Sequence, residues 1–168
     1  MNPGRWEALY AVHIEEATRL AYLVVGDHGL AQDLAHDAFL KSASRLHGLR
    51  EQGSFGPYLR RTIVNLAISR GRRKRAEQRA LARAGVPSQL GTPHAEIPTE
   101  DVLRRALWTL PVRQRAALVL RYYVDLSEEE TAEILGSSVV ATKSLVARGV
   151  RALRNHASKE EWHDIASR

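Results

Sequence analysis

The 168 residues contain no cysteine. Disulfides and Cys-ligated zinc are therefore excluded, and any thiol sensor acting with this chain must lie in a partner. No apolar run approaches the roughly 20 residues of a membrane span. The opening stretch, MNPGRWEALY, lacks the apolar core of a secretory signal. The expectation is a cytoplasmic chain with no membrane insertion. Strand signals, internal repeats, Gly-rich phosphate loops and nucleophile motifs are all missing. The seven histidines are scattered. Only His36 has carboxylates nearby, Asp33 and Asp37, on one helix face with no second ligating helix. Neither an enzyme nor a cofactor or metal site is expected.

What the sequence does have is positive charge: 25 Lys and Arg against 19 Asp and Glu, a formal +6. That excess favours a polyanionic partner, nucleic acid or an anionic membrane surface. The length allows one ordinary domain or two small ones.

Residues 125–155, DLSEEETAEILGSSVVATKSLVARGVRALRN, carry the clearest pattern. Ser127 and Glu130 form the S-x-x-E capping box that opens a helix. Thr131, Ile134 and Leu135 recur at helical spacing before Gly136 stops it. Ser138 is placed to cap a second helix. At about 100° per residue, Val139, Thr142, Val146, Val150 and Leu153 fall on one side of that helix. Lys143, Ser144, Arg148, Arg151, Arg154 and Asn155 fall on the other. Two helices, a tight turn and a basic second helix read as a helix-turn-helix for the major groove. A cationic face is also what a merely solvated helix shows. Ser137 and Ser138 favour the DNA reading, because small polar side chains at a helix N-terminus suit close approach to phosphate and base edges.

Upstream, residues 5–25 read as a helix with Leu9, Val12, Ala17, Leu20 and Leu23–Val24 inward. After a turn at residues 26–29, a second helix spans 30–46, with Gln32, Asp33, His36 and Asp37 as an acidic face. A third starts near Pro57, which suits a first helical turn, with Tyr58, Leu59, Ile63, Leu66 and Ala67 inward. It runs into Arg70, Arg72, Arg73, Lys74, Arg75, Arg79 and Arg83, opposed only by Glu77. Like charges one turn apart repel, and phosphate is the natural neutraliser. Phe55 and Tyr58 stand beside this strip, where single-stranded bases would want aromatic faces; a core role fits them equally. Residues 85–98, GVPSQLGTPHAEIP, form a linker. Thr99 caps the next helix, whose core line is Val102, Leu103, Ala106, Leu107 and Leu110. Pro111 starts another, with Leu118, Val119 and Tyr122 inward. The expected fold is all-α: helical modules at 1–84 and 99–168 joined by the linker.

In this order the segments resemble the extracytoplasmic-function (group 4) sigma factors of bacterial RNA polymerase, over about residues 6–156. AQDLAHDAFL at 31–40 is similar to region 2.2, and FGPYLRRTIVNLAISRGRR at 55–73 to regions 2.3–2.4. LPVRQRAALVLRYYVDLSEEETAEILG at 110–136 and SSVVATKSLVARGVRALR at 137–154 are similar to region 4. The resemblance implies a promoter-recognition subunit without catalysis of its own. Asp33, Leu34, His36 and Asp37 match the positions that dock on the β′ clamp helices of core RNA polymerase. Phe55, Tyr58, Arg61, Asn65, Arg72 and Arg73 match those that hold the unpaired −10 strand. Ser138, Lys143, Ser144, Arg148 and Arg151 match the −35 duplex reader, whose module rests on the β flap. An anti-sigma factor is an implied partner. The chain departs from the family pattern at His36 (usually Gln), Gln32 (Glu), Tyr58 (Trp), Ser69 (Asp), Ala141 (Thr) and Leu145 (Arg). Two alternatives stand beside this reading. One is a stand-alone helix-turn-helix regulator, which leaves the acidic face and the Arg strip unused. The other is a sigma-like interaction protein that binds polymerase without initiating.

Overall fold

The computed structural model describes residues 3–45, 55–85 and 102–166, with side chains over 4–45, 55–85 and 103–156. Every regular element among the described residues is helical. The chain divides into two compact units, Met1–Pro93 and His94–Arg168. The boundary falls within the stretch expected as a linker; residues 86–98 and the expected cap Thr99 lie outside the described residues.

The first unit packs α1 (Pro3–Val25), α2 (His28–Arg45) and α3 (Phe55–Arg83) against one another. Each contributes an apolar stripe at helical spacing: Ala17, Leu20, Ala21 and Val24 from α1; Ala31, Leu34, Ala35, Ala38 and Phe39 from α2; Leu59, Ile63, Val64, Ala67 and Ile68 from α3. Three of the α2 residues are alanines, which bring neighbouring backbones close. Ser42 is fully buried on the same stripe and answers its hydroxyl internally, donating to the Ala38 carbonyl at 2.7 Å. Gly26, at φ 77°, turns the chain out of α1. Asp27 Oδ1 then accepts from the Leu30 amide at 2.7 Å and caps α2, a start signal the sequence reading took only as part of a turn. Val12 was expected inside and is 70% exposed, because the inward stripe of α1 runs through Trp6, Tyr10, His13, Ala17, Leu20 and Val24 and passes it by.

The last buried residue of α3 is Ile68. From there the helix continues to Arg83 without burying another side chain, an arm of about 22 Å at 1.5 Å per residue.

The second unit contains α4 (Val102–Thr109), α5 (Val112–Leu118), a π-helical turn (Val119–Tyr123), α6 (Glu128–Leu135) and α7 (Val139–Ala166). Pro111 is the N-cap of α5 rather than its first helical residue: its ψ of 139° is extended. The Arg115 guanidinium donates to the carbonyls of Trp108 and Leu110 at 2.9 Å, answering groups left open where α4 ends. Arg113 does the same for Leu135 at the end of α6, at 2.9 Å.

Two expectations for this unit change. Tyr122 is 68% exposed, not inward. The Val124 amide reaches back to the Val119 carbonyl at 3.0 Å, an i→i+5 bond. The wider π turn shifts the phase of the helix, so a residue four positions after Leu118 no longer falls on the core side. Leu103 is likewise 69% exposed, and Trp108 takes the buried place in α4. Asp125 then adopts φ 59°, a left-handed conformation that Asp tolerates better than most residues.

Candidate nucleic-acid and partner interfaces

The helix-turn-helix forms as its local chemistry dictates. Ser127 Oγ accepts from the Glu130 amide at 3.1 Å, and Glu130 Oε2 accepts from the Ser127 amide at 2.7 Å. Both halves of the capping box are thus made, satisfying two amides that the first turn leaves without partners. Gly136 ends α6 at φ 58°, where a side chain would be strained. Ser138 Oγ then accepts from the Ala141 amide at 3.1 Å, so this hydroxyl is occupied as a helix cap. Ser137 Oγ lies 2.8 Å from the hydroxyl of the buried Thr142, pinning the turn to α7.

The inward stripe of α7 is Thr142, Leu145, Gly149 and Leu153, with Thr142 and Gly149 buried and the leucines half-buried. A methyl group on Gly149 would meet Leu118 Cδ1 at 2.8 Å and Cγ at 3.1 Å, so α7 touches α5 almost at its backbone. Val146 and Val150, expected on this inward side, are half-buried like Leu145 and Leu153. The two valines line an open groove with Tyr122, Ala147, Arg151 and Arg154.

Facing outward on α7 are Val140, Ser144, Arg148 and Arg151. Ser144 donates to the Val140 carbonyl at 3.1 Å, and Arg148 Nε donates to the Ser144 carbonyl at 3.2 Å. The Arg148 stem is thereby laid back along the helix toward its N-terminal turns. Lys143 is held to one side by an ion pair with Glu128 Oε2 at 2.9 Å. The hydrogen bond and charge of Glu128 raise the Lys143 pKa above the usual lysine range, so it stays protonated. Val140 went unplaced in the sequence reading and is 75% exposed, in the first turn of α7.

On α3, Arg61, Asn65 and Arg72 are all exposed and Tyr58 is half-buried. At about 100° per residue the four fall on one stripe, with Arg73 beside it and exposed. The helical repeat thus brings together residues that span fifteen positions. Phe55 does not join them. It is 2% exposed, with its ring centroid 5.3 Å from those of His13 and Phe39 and 6.4 Å from that of Trp6. The helix begins at Phe55, two residues before Pro57, and that extra half-turn directs the ring inward as an aromatic clasp between α1, α2 and α3. Phe55 is a core residue, not a base-stacking one.

On α2, Asp33, His36 and Asp37 are exposed, whereas Leu34 is 4% exposed and packs inside. Leu34 is one residue away from Asp33, turned about 100° round the helix onto its buried face. The outward face gains a residue that hydropathy alone would assign to the core: Leu40, 67% exposed, three residues beyond Asp37. His36 is fixed from two sides. Its Nδ1 lies 2.8 Å from the Gln32 carbonyl, and its Nε2 lies 2.5 Å from the Tyr10 hydroxyl on α1. Since a carbonyl only accepts, Nδ1 carries a proton and donates to Gln32, while Nε2 is hydrogen-bonded to the Tyr10 hydroxyl. Among the described residues no group of three His, Asp or Glu side chains could hold a metal ion, and no helix is long and apolar enough to cross a membrane.

Comparison with known proteins identifies the family of the chain. The family described as Sigma-70 region 2 matches residues 9–77, and that described as Sigma-70, region 4 matches residues 100–153. The chain is 31% identical over 149 residues to the RNA polymerase sigma-E factor of Streptomyces avermitilis, covering 85% of this chain and 79% of that protein. It is 30% identical over 165 residues to the ECF RNA polymerase sigma factor SigE of Mycolicibacterium smegmatis, covering 92% of this chain but only 62% of the relative. Among solved structures, the sigma factor RpoE of Bartonella quintana, in complex with the anti-sigma factor NepR, superposes with a TM-score of 0.68 at 21% identity. That superposition covers 92% of this chain and 97% of the other. At that identity the likeness speaks for the fold alone. The two family matches, in order and on separate units, together with these relatives and the ECF factor SigM of Mycobacterium tuberculosis (32% identical, 72% of that protein covered), establish that the chain belongs to the extracytoplasmic-function sigma factors of the sigma-70 family.

Proposed function

We propose that this chain directs core RNA polymerase to promoters by dividing the work among three helix faces. The exposed face of α2, Asp33, His36 and Asp37, docks on the clamp helices of the β′ subunit. The α3 stripe of Tyr58, Arg61, Asn65 and Arg72, with Arg73 beside it, holds the unpaired −10 strand. Ser144, Arg148 and Arg151 on α7 read the −35 element as duplex, while the second unit rests on the β flap. Lys143 belongs to the same surface at its margin, and Ser138 contributes through the cap that sets the start of α7. Leu34 and Phe55 act from inside, by fixing the helices that carry the outward residues.

The observation that carries the reading is the α3 stripe. An outward line of Arg61, Asn65 and Arg72 does nothing for the core of the unit, and it continues into an arm whose cations are exposed along its whole length. A helix this basic is stabilised by phosphate rather than by its own side chains. Exposed Asn and a half-buried aromatic on the same line suit unstacked bases. No step of bond making or breaking is assigned to the chain, and it works in the cytoplasm. An anti-sigma factor is its expected regulator, as NepR is the partner of the Bartonella quintana protein in its solved complex.

The test is a footprint of the reconstituted holoenzyme on a promoter library. The expected result is protection of a −35 segment with permanganate-reactive thymines at −10. Duplex protection without core polymerase would favour the stand-alone regulator. Core binding without any footprint would favour the interaction protein.

A further inference from the structure

Among the described residues of the second unit, Val140 is the most exposed of the large apolar side chains, at 75%. It contributes little to folding where it stands. A β-branched residue is a modest helix former, and this one stands largely in solvent. A single exposed apolar residue is ordinary on a protein surface; its neighbours set this one apart. It shares an outward strip with Ser144, Arg148 and Arg151, one, two and three turns along, and Ala141 beside it is small and exposed. The Ser144 hydroxyl is turned back to the Val140 carbonyl and Lys143 is held aside by Glu128. The isopropyl group therefore stands forward in the first turn of α7 with no polar side chain over it. In a helix-turn-helix, that first turn enters the major groove deepest. The apolar group available there is the 5-methyl of thymine, which distinguishes T·A from every other pair.

We propose that Val140 is a specificity residue for the −35 duplex, packing its isopropyl group on the 5-methyl of one thymine. This rests on the assignment of α7 as the −35 reader. The register follows from the helix. Val140 and Arg148 are eight residues apart, about 12 Å along the axis, or roughly three to four base-pair steps at 3.4 Å each. Because the Arg148 side chain is laid back toward Ser144, the thymine lies at most that far from the base pair read by Arg148. Ala141 stands where the family pattern has Thr, and its small side chain leaves room for the duplex beside Val140.

Deoxyuridine removes only the methyl group, so it makes the decisive probe. Holoenzyme carrying the full chain is bound to its selected promoter, and to versions in which each −35 thymine in turn is replaced by deoxyuridine. One position is expected to lose about fourfold in affinity, the weight of one buried methyl-sized group. With Val140→Ala in the holoenzyme that loss should vanish, while Val140→Thr, which keeps one methyl, should retain part of it. The deoxyuridine-sensitive position should lie no more than about four steps from the one whose preference Arg148→Ala relaxes. A −35 element indifferent to every thymine methyl would overturn the assignment, as would equal sensitivity in wild type and Val140→Ala. Indifference to any change of −35 sequence would overturn the reading of α7 itself, and the two failures are separable on the same set of duplexes.

Discussion

Lys143 Nζ lies 2.9 Å from Glu128 Oε2, joining the first turn of α6 to the second turn of α7 across the helix-turn-helix. Both side chains are partly open to solvent, 57% and 37%, so the pair contributes little to stability. Its consequence is for DNA. Glu128 raises the pKa of Lys143, which keeps its charge at neutral pH. A folded pKa above the unfolded one means that whatever stabilisation the pair gives is present below the unfolded lysine pKa and lost as pH rises through the folded value. In the working range the cation is present but already partnered. Glu128→Gln should free it for phosphate, strengthening −35 duplex binding at low salt and steepening the slope of log K against log salt by about 0.9. An unchanged slope would mean that Lys143 meets DNA despite Glu128, or never does.

The two faces of α2 give opposite phenotypes. Reversing Asp33 and Asp37 to Lys changes only exposed positions, so helical circular dichroism should be retained while holoenzyme assembly is lost. Leu34→Ala, one residue from Asp33, should instead lower the melting temperature by the equivalent of about 2–5 kcal/mol. Wild-type assembly by the double Lys variant would remove α2 as the docking face.

Phe55 and the Arg pair separate in the same way. Phe55→Ala should cost about 3–5 kcal/mol of stability in the first unit, read by denaturant unfolding. Arg72 and Arg73 changed together to Gln should leave stability alone and weaken activity evenly across cognate promoters, since phosphate contacts carry no sequence. For Asn65→Ala the expected change is in the preferred −10 base. A promoter-selective effect from the Arg pair would point to base readout instead.

Gly149 tests the packing behind the reader. Replacing a helical Gly by Ala gains up to about 1 kcal/mol in propensity. Here the new methyl would sit 2.8 Å from Leu118 Cδ1, and overpacking a core costs about 1–3 kcal/mol. Gly149→Ala should therefore lower the melting temperature. In a Leu118→Ala background the clash is absent, and the same change should become neutral or stabilising. Equal effects in both backgrounds would show that α5 and α7 do not meet there.

What the sequence revealed follows from the range of the forces involved. The capping box at Ser127 and Glu130 was legible because both partners lie within one turn. The Gly136 stop and the Ser138 cap were legible for the same reason. The acidic face of α2 followed from periodicity. Tyr122 was misplaced because periodicity assumes a constant pitch, and the π turn over Val119–Tyr123 changes it. Phe55 was ambiguous because an aromatic ring serves a core and a stacking platform equally well; only the proximity of His13 and Phe39 decides. Leu40, Leu103 and Val140 stand outside because hydropathy alone does not tell a face that packs from one that meets a partner. The Glu128–Lys143 pair and the Tyr10–His36 contact join residues 15 and 26 positions apart, which no local pattern encodes.

The central claim is that this chain confers promoter-specific initiation on polymerase, and run-off transcription with purified core measures it directly. The chain added to core should yield transcripts with one defined start, dependent on both the −10 and −35 elements, where core alone yields none. Core binding at full affinity with no specific transcript from any promoter in the library would contradict it.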